Sequence, residues 1–131
     1  MEMLETDWWT LEIPPEFEVS QEDDLVIIED EDGVGCLEIS TLVREDGQVG
    51  AAEIAEFSQE LREAGITPQR ARIGGWSGEL YEHEDDGFHW REWFLGHGSL
   101  FVYAAYQCLP DNAGMDDAAI DEILETLEPK G

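Results

Sequence analysis

Three histidines, His83, His89 and His97, are the side chains in this sequence best suited to bind a metal or exchange a proton near neutral pH. Glu82, Glu84, Asp85 and Asp86 surround the first two in sequence, and zinc accepts imidazole and carboxylate ligands. The spacing is neither HExxH nor that of a zinc finger, and a metal needs at least three converging ligands. If Asp85-Asp86-Gly87 forms a hairpin turn, His83 and His89 lie near opposite arms, and His97 lies at the far end of the returning strand. Surface or locally hydrogen-bonded histidines are expected, and no metal ligand is assigned.

Gly75-Trp76-Ser77-Gly78 is superficially like a nucleophile elbow, but Glu79 stands where GxSxG needs its last glycine. A Ser-His-Asp triad drawn from Ser77, His97 and one of many aspartates has too much freedom to carry information. Paired carboxylates for acid and base chemistry are equally uninformative where acids occur in almost every segment. Neither GxGxxG nor GxxxxGK[ST] occurs, so nucleotide binding through those loops has no support. Cys36 and Cys108 are too far apart for a CxxC motif, and two buried thiols are the simplest reading. No catalytic residue and no cofactor is assigned.

The most distinctive cluster is aromatic and basic. Trp76, Tyr81, Phe88, Trp90, Trp93 and Phe94 lie close in sequence to Arg91, Arg70 and Arg72, in a chain with only six basic residues. On a strand, Phe88, Trp90 and Phe94 share one parity and Arg91, Trp93 and Leu95 the other, so one set enters a core while the other stays partly exposed. Arginine and tryptophan are effective interface residues. Arg91, Trp90, Trp93, Trp76, Tyr81, Arg70 and Arg72 are therefore the candidate protein-contact residues. The competing explanation is aromatic packing, with Arg91 neutralising Glu92 or another carboxylate.

These residues need elements to position them. Trp8 to Ile13 looks like a first strand, ended by Pro14-Pro15. Phe17 and Val19 suggest a short second strand before Gln21-Glu22-Asp23-Asp24, and Leu25 to Ile28 is a β-branched third, followed by an acidic turn through Gly33. From Gly35 to Val43, Leu37, Ile39, Thr41 and Val43 alternate with Cys36, Glu38, Ser40 and Leu42, and Asp46-Gly47 closes this strand region. The period changes between Ala51 and Ala64, where Ile54, Phe57 and Leu61 fall on one helical face, and Gly65 suits the helix end. Arg70 to Ile73 leads into an exposed strand at Glu79 to Glu84, a hairpin at Asp85-Asp86-Gly87, and a return at Phe88 to Leu95 with a turn at Gly96-His97-Gly98. Leu100 to Leu109 is apolar on both faces, which predicts a central strand covered from both sides. A last helix runs from Asp116 to Leu127, with Ile120, Ile123, Leu124 and Leu127 as its stripe; Glu128 to Gly131 reads as a tail.

A chain of 131 residues, 42% of them hydrophobic, is enough for one domain with a continuous core, and no linker or repeat divides residues 1–131. Its 33 acidic against six basic residues leave a net charge of −27. Such a surface repels phosphate backbones and anionic headgroups, so neither nucleic acid nor membrane is expected as a partner. The spread of carboxylates along the whole chain points to solvation at high salt, with a basic protein partner as the other reading. Met1 to Glu5 lacks the basic start and apolar run of a signal peptide, and no stretch approaches the roughly 20 apolar residues of a spanning helix. A cytoplasmic location is expected.

The order of segments is similar to that of the Mog1/PsbP-like superfamily of small α/β/α sandwiches. The likeness rests on Pro14-Pro15-Glu16-Phe17-Glu18-Val19, Gly35-Cys36-Leu37-Glu38-Ile39-Ser40, Gly74-Gly75-Trp76-Ser77-Gly78, the aromatic hairpin return and the last helix with Ile123 and Leu127. It spans roughly residues 8 to 128 and suggests a small bacterial member. Members include a nuclear-transport regulator that binds a small GTPase, a photosystem accessory protein and many bacterial domains. The resemblance implies an α+β fold, a mostly antiparallel central sheet flanked by helices. It also implies a noncatalytic accessory or protein-interaction role; an immunity-like inhibitor of a basic toxin and a small-molecule binder or hydrolase are the alternatives. It transfers no residue-level signature and no oligomeric state.

If the carboxylates repel one another in the folded state, screening them stabilises it. The midpoint of thermal unfolding, followed by circular dichroism, is expected to rise as potassium chloride is added; a flat response over a broad range would reject the high-salt reading.

Overall fold

The computed structural model describes residues 2–22, 25–30, 35–44, 47–115 and 117–130. Strands dominate because short alternating or β-branched runs are separated by turn residues. They are β1 (Glu2–Glu5), β2 (Trp9–Ile13), β3 (Phe17–Glu22), β4 (Leu25–Asp30), β5 (Gly35–Val43), β6 (Gln69–Ile73), β7 (Trp76–Asp85), β8 (Phe88–His97), β9 (Leu100–Cys108) and β10 (Glu128–Pro129). The helices are α1 (Ala51–Phe57), α2 (Gln59–Glu63) and α3 (Asp117–Glu125), with a 3-10 turn at Pro110–Asn112.

Seven strands form one antiparallel sheet in the order β3-β4-β5-β9-β8-β7-β6. The doubly apolar strand β9 lies at its centre, as its sequence predicts. One face is closed by α3 and a three-stranded sheet, β1-β2-β10. Trp9, Leu11 and Ile13 from β2 and Ile120, Ile123 and Leu124 from α3 meet Val26, Ile28, Leu37, Ile39, Val102, Ala104, Trp93 and Leu95 in the main core. The indole Nε1 of Trp9 donates to Thr41 Oγ1 at 2.8 Å, and that of Trp76 donates to the Leu127 carbonyl at 3.1 Å. These bonds satisfy indole donors that burial removes from water. The result is an α+β sandwich of mostly antiparallel strands.

The opposite face is only partly covered. α1 sits over β7, β8 and the start of β9, where Val49, Ile54, Tyr81, Phe94 and Phe101 form a smaller core. Beyond it, Leu25, Ile27, Cys36, Glu38 and Ser40 are only half-buried and Leu42 is exposed.

Several boundaries differ from expectation. The helix expected over 51–64 breaks at Ser58, whose hydroxyl donates back to the Ile54 carbonyl at 2.9 Å and is buried. That local bond competes with regular helix geometry. The buried pair becomes Ile54 and Ser58, while Phe57 is 44% exposed. The expected turn at Gly96-His97-Gly98 also shifts. β8 continues through His97, with Gly96 opposite Phe101 and His97 opposite Leu100 in the ladder; a side chain at Gly96 would lie 2.8 Å from the Val49 carbonyl oxygen, so glycine suits that close crossing within the strand. The turn at Asp86-Gly87 is as anticipated, with both residues at positive φ, 53° and 83°. β7 begins earlier than the strand expected at Glu79 and is not uniformly exposed, since Trp76 and Tyr81 are buried.

The chain ends add strands that periodicity did not reveal. Glu2–Glu5 pairs with β2 on one side and Glu128–Pro129 on the other, so the supposed tail is a sheet edge. Two residues are too few to show alternation; their pairing depends on where α3 delivers the chain. The acidic segments 23–24, 31–33 and 46, and the Asp116 helix start, lie outside the described residues, although Glu29 and Asp30 belong to β4.

Ile123 is 1% exposed on the stripe of α3. Ile123→Ala is expected to cost about 2–5 kcal/mol in urea unfolding, and Phe57→Ala about 1 kcal/mol or less; equal costs would contradict this division between core and surface.

Candidate functional site

With carboxylates in more than fivefold excess, every base should find an acid. Arg44 reaches Glu53 at 3.4 Å, Arg62 reaches Glu79 at 3.0 Å, and Lys130 reaches Glu5 at 2.9 Å. Arg91 lies 3.0 Å from Asp121 and 3.5 Å from Asp117. Arg70 and Arg72 have no ion-pair partner among the described residues, and both are exposed.

The seven candidate contact residues do not form one surface. Arg91, Trp93, Trp76 and Tyr81 are buried, which corrects the expectation that they present themselves to a partner. The Arg91 guanidinium lies 4.7 Å from the Trp93 ring centroid and ties β8 to the carboxylates of α3. Its neutralising partners are therefore on a helix, and adjacent Glu92 points to the other face. Trp90 is half-buried, with its Nε1 donating to the Asp85 carbonyl at 3.2 Å. Arg70 and Arg72 are separated from this hairpin tip, on the edge strand β6.

On the α1 side, β6, β7 and α1 enclose a cleft of about 400 Å³ lined by Val49, Ile54, Arg62, Pro68, Arg70, Arg72, Ser77 and Glu79 among others. Glu79 is the cross-strand neighbour of Arg70 but does not pair with it. Its carboxylate accepts from Arg62 at 3.0 Å and from Tyr81 Oη at 3.1 Å, and lies 3.2 Å from Ser58 Oγ. Arg62 Nε also donates to Tyr81 Oη at 3.0 Å. Arg72 lies opposite Ser77, which carries no charge.

A second concavity, about 390 Å³, lies at the end of β5 beside α1 and is lined by Leu42, Val43, Phe57 and Phe101 with Arg44, Glu53 and Glu56. Leu42 is 50% and Val43 41% exposed, and Phe57 stacks on Phe101 at a centroid distance of 4.2 Å. Glu60, Leu61, Glu92, Phe94 and Tyr103 continue this surface on the other side of Phe57. Glu92 accepts from Tyr103 and bonds His83, and burial together with that carboxylate pushes the Tyr103 phenol well above its usual range. Sequence reading missed this patch. Its signal was Leu42, an apolar residue at the end of the polar parity Cys36, Glu38 and Ser40.

The other sequence candidates separate. His83 bonds Glu92 while His89 bonds Glu82 at 3.1 Å, across opposite faces of the β7–β8 hairpin. His97 Nδ1 lies 2.8 Å from the Gly75 carbonyl, whereas Ser77 lines the cleft, so these two do not meet. Among the described residues, no three His, Cys, Asp or Glu side chains are grouped to hold a metal.

Cys36 and Cys108 also face opposite sides of the sheet, since Cys36 pairs with Gln107 and Cys108 with Gly35. No disulfide can join them without reversing a strand. Cys36 is half-buried rather than fully buried. Desolvation, reinforced by Glu38 and Glu29, pushes its thiol up to about 11 from 9.0. The thiol stays protonated below that value, so at pH 8 its thiolate fraction is about 100-fold below an ordinary cysteine's. Disulfide-reagent labelling of a Cys108→Ala variant should accelerate up to about pH 11; a plateau near pH 9 would contradict it.

No family model and no curated protein matches this sequence. Among solved structures, a Bacteroides thetaiotaomicron VPI-5482 protein superposes over 95% of this chain with a TM-score of 0.71 and 18% identity. This chain spans 46% of that protein's length. The solution structure of cyanobacterial PsbP (CyanoP) from Synechocystis sp. PCC 6803 aligns over 93% of this chain and 86% of its own, with a TM-score of 0.49 and 10% identity. At these identities the likeness is one of fold.

Proposed function

We propose that this domain is a noncatalytic accessory module that holds a protein partner on the uncovered part of the α1 side of its sheet. The observation that carries this reading is the grouping of Leu42 and Phe57, both exposed, around one groove on the α1 side floored by Phe101, which stands opposite Leu42 in the ladder. In a chain that surrounds itself with carboxylates, contiguous exposed apolar side chains are costly for solubility and mark a contact surface. Glu53, Glu56 and Glu60 rim it. An apolar centre with an acidic rim complements a basic segment that carries aliphatic or aromatic anchors. High-salt solvation and a cytoplasmic setting complete the reading.

A cationic amphipathic peptide with leucine and phenylalanine anchors serves as the probe, titrated into ¹⁵N-labelled protein at elevated salt. Saturable shifts centred on Leu42, Val43 and Phe57 are expected, with at least about tenfold weaker binding in the Leu42→Ser/Phe57→Ser variant. Shifts spread over the acidic surface and unchanged in that variant would reject the proposal.

A further inference from the structure

The two bases without an acid partner among the described residues lie side by side. Arg70 and Arg72 occupy alternate positions of β6, so their side chains leave the same face of the edge strand about 6.5–7 Å apart. Ala71 between them turns into the main core, which fixes that orientation. Two adjacent guanidiniums repel each other and gain nothing from local pairing.

Their isolation is built by the fold. Glu79 stands directly across from Arg70, the position from which a carboxylate normally pairs across strands. It is instead held inward by Arg62, Tyr81 and Ser58. Arg72 faces Ser77 across the ladder. Both arginines line the 400 Å³ cleft, whose apolar side is formed by Val49, Ile54 and Pro68. That volume is in the range of small-molecule sites, and an apolar wall beside a few convergent polar groups is their usual composition. A guanidinium fork matches the planar or tetrahedral oxygens of carboxylate and phosphate, and two forks straddle one such group.

We propose that this cleft binds a small organic anion, with its oxyanion held between Arg70 and Arg72 and a short hydrocarbon body against Val49 and Ile54. The site is distinct from the apolar groove at Leu42 and Phe57 and needs no partner protein. The surrounding negative field sets its selectivity. A small ligand with one anionic head enters the local positive spot, whereas a polyanion meets the carboxylates around it.

The test is a titration of ¹⁵N-labelled protein with hexanoate, acetate and inorganic phosphate, each at constant ionic strength set with chloride. Saturable shifts at Gln69 to Arg72 and Val49 to Ile54 are expected with hexanoate or phosphate, and whichever binds more tightly identifies the head group. Hexanoate should bind at least about threefold more tightly than acetate, because its chain covers the apolar wall. Arg70→Gln/Arg72→Gln should weaken binding at least about tenfold, with unchanged circular dichroism because both side chains are exposed. Arg44→Gln and Leu42→Ser/Phe57→Ser should leave it unchanged, which separates this site from the partner surface. Absence of saturable shifts with every probe would overturn the proposal. So would equal affinity in the Arg70→Gln/Arg72→Gln variant, or an equal loss in Arg44→Gln.

Discussion

The strand Leu100–Cys108 is apolar on both faces, and the rest of the molecule answers that constraint. A strand buried on both sides needs a layer above and a layer below. On one side α3 and the small sheet supply a complete layer, closing the main core from β4 across to β7. On the other, α1 and α2 together hold twelve residues and reach only part of a seven-stranded sheet. The break at Ser58 shortens their reach further. Where that cover stops on the β5 side, Leu42 and Phe57 stay exposed. Where it meets the β6 edge, a cleft opens. Both candidate surfaces are consequences of one incomplete layer.

The net charge acts through what it leaves over. A chain with so few bases commits most of them to holding elements together: Arg91 joins β8 to α3, Arg62 joins α2 to β7, and Lys130 joins β10 to β1. Exposed pairs of this kind stabilise little; Arg91 differs in being buried itself and resting on Trp93, while its acid partners Asp117 and Asp121 stay open to solvent. Against that background, two arginines excluded from pairing are a departure that the surplus of acids makes more informative.

Arg91 and Trp93 share a face, and that face is the core rather than the contact surface. Trp76 and Tyr81 are large amphipathic side chains that find their partners inside, at Leu127 and Ser58. Nothing local distinguishes a buried arginine from an exposed one; the distinction comes from α3, 26 positions further along, whose Asp117 meets it. Arg70 and Arg72 read in sequence as candidate contact residues close to the aromatic cluster. That Glu79 is already engaged depends on Ser58 and Arg62 reaching it from a helix.

Local rules determined the strands Gly35–Val43 and Leu100–Cys108, the hairpin at Asp86-Gly87, the stripe of α3 and the antiparallel α+β class. Alternation, turn chemistry and helical period act over a few residues and leave a direct trace in the chain. The terminal strands, the break in the first helix, the burial of Arg91 and the isolation of Arg70 and Arg72 were decided by tertiary structure. Each depends on a partner distant in sequence, and pairing across that distance is set by how layers stack rather than by the residues on either side.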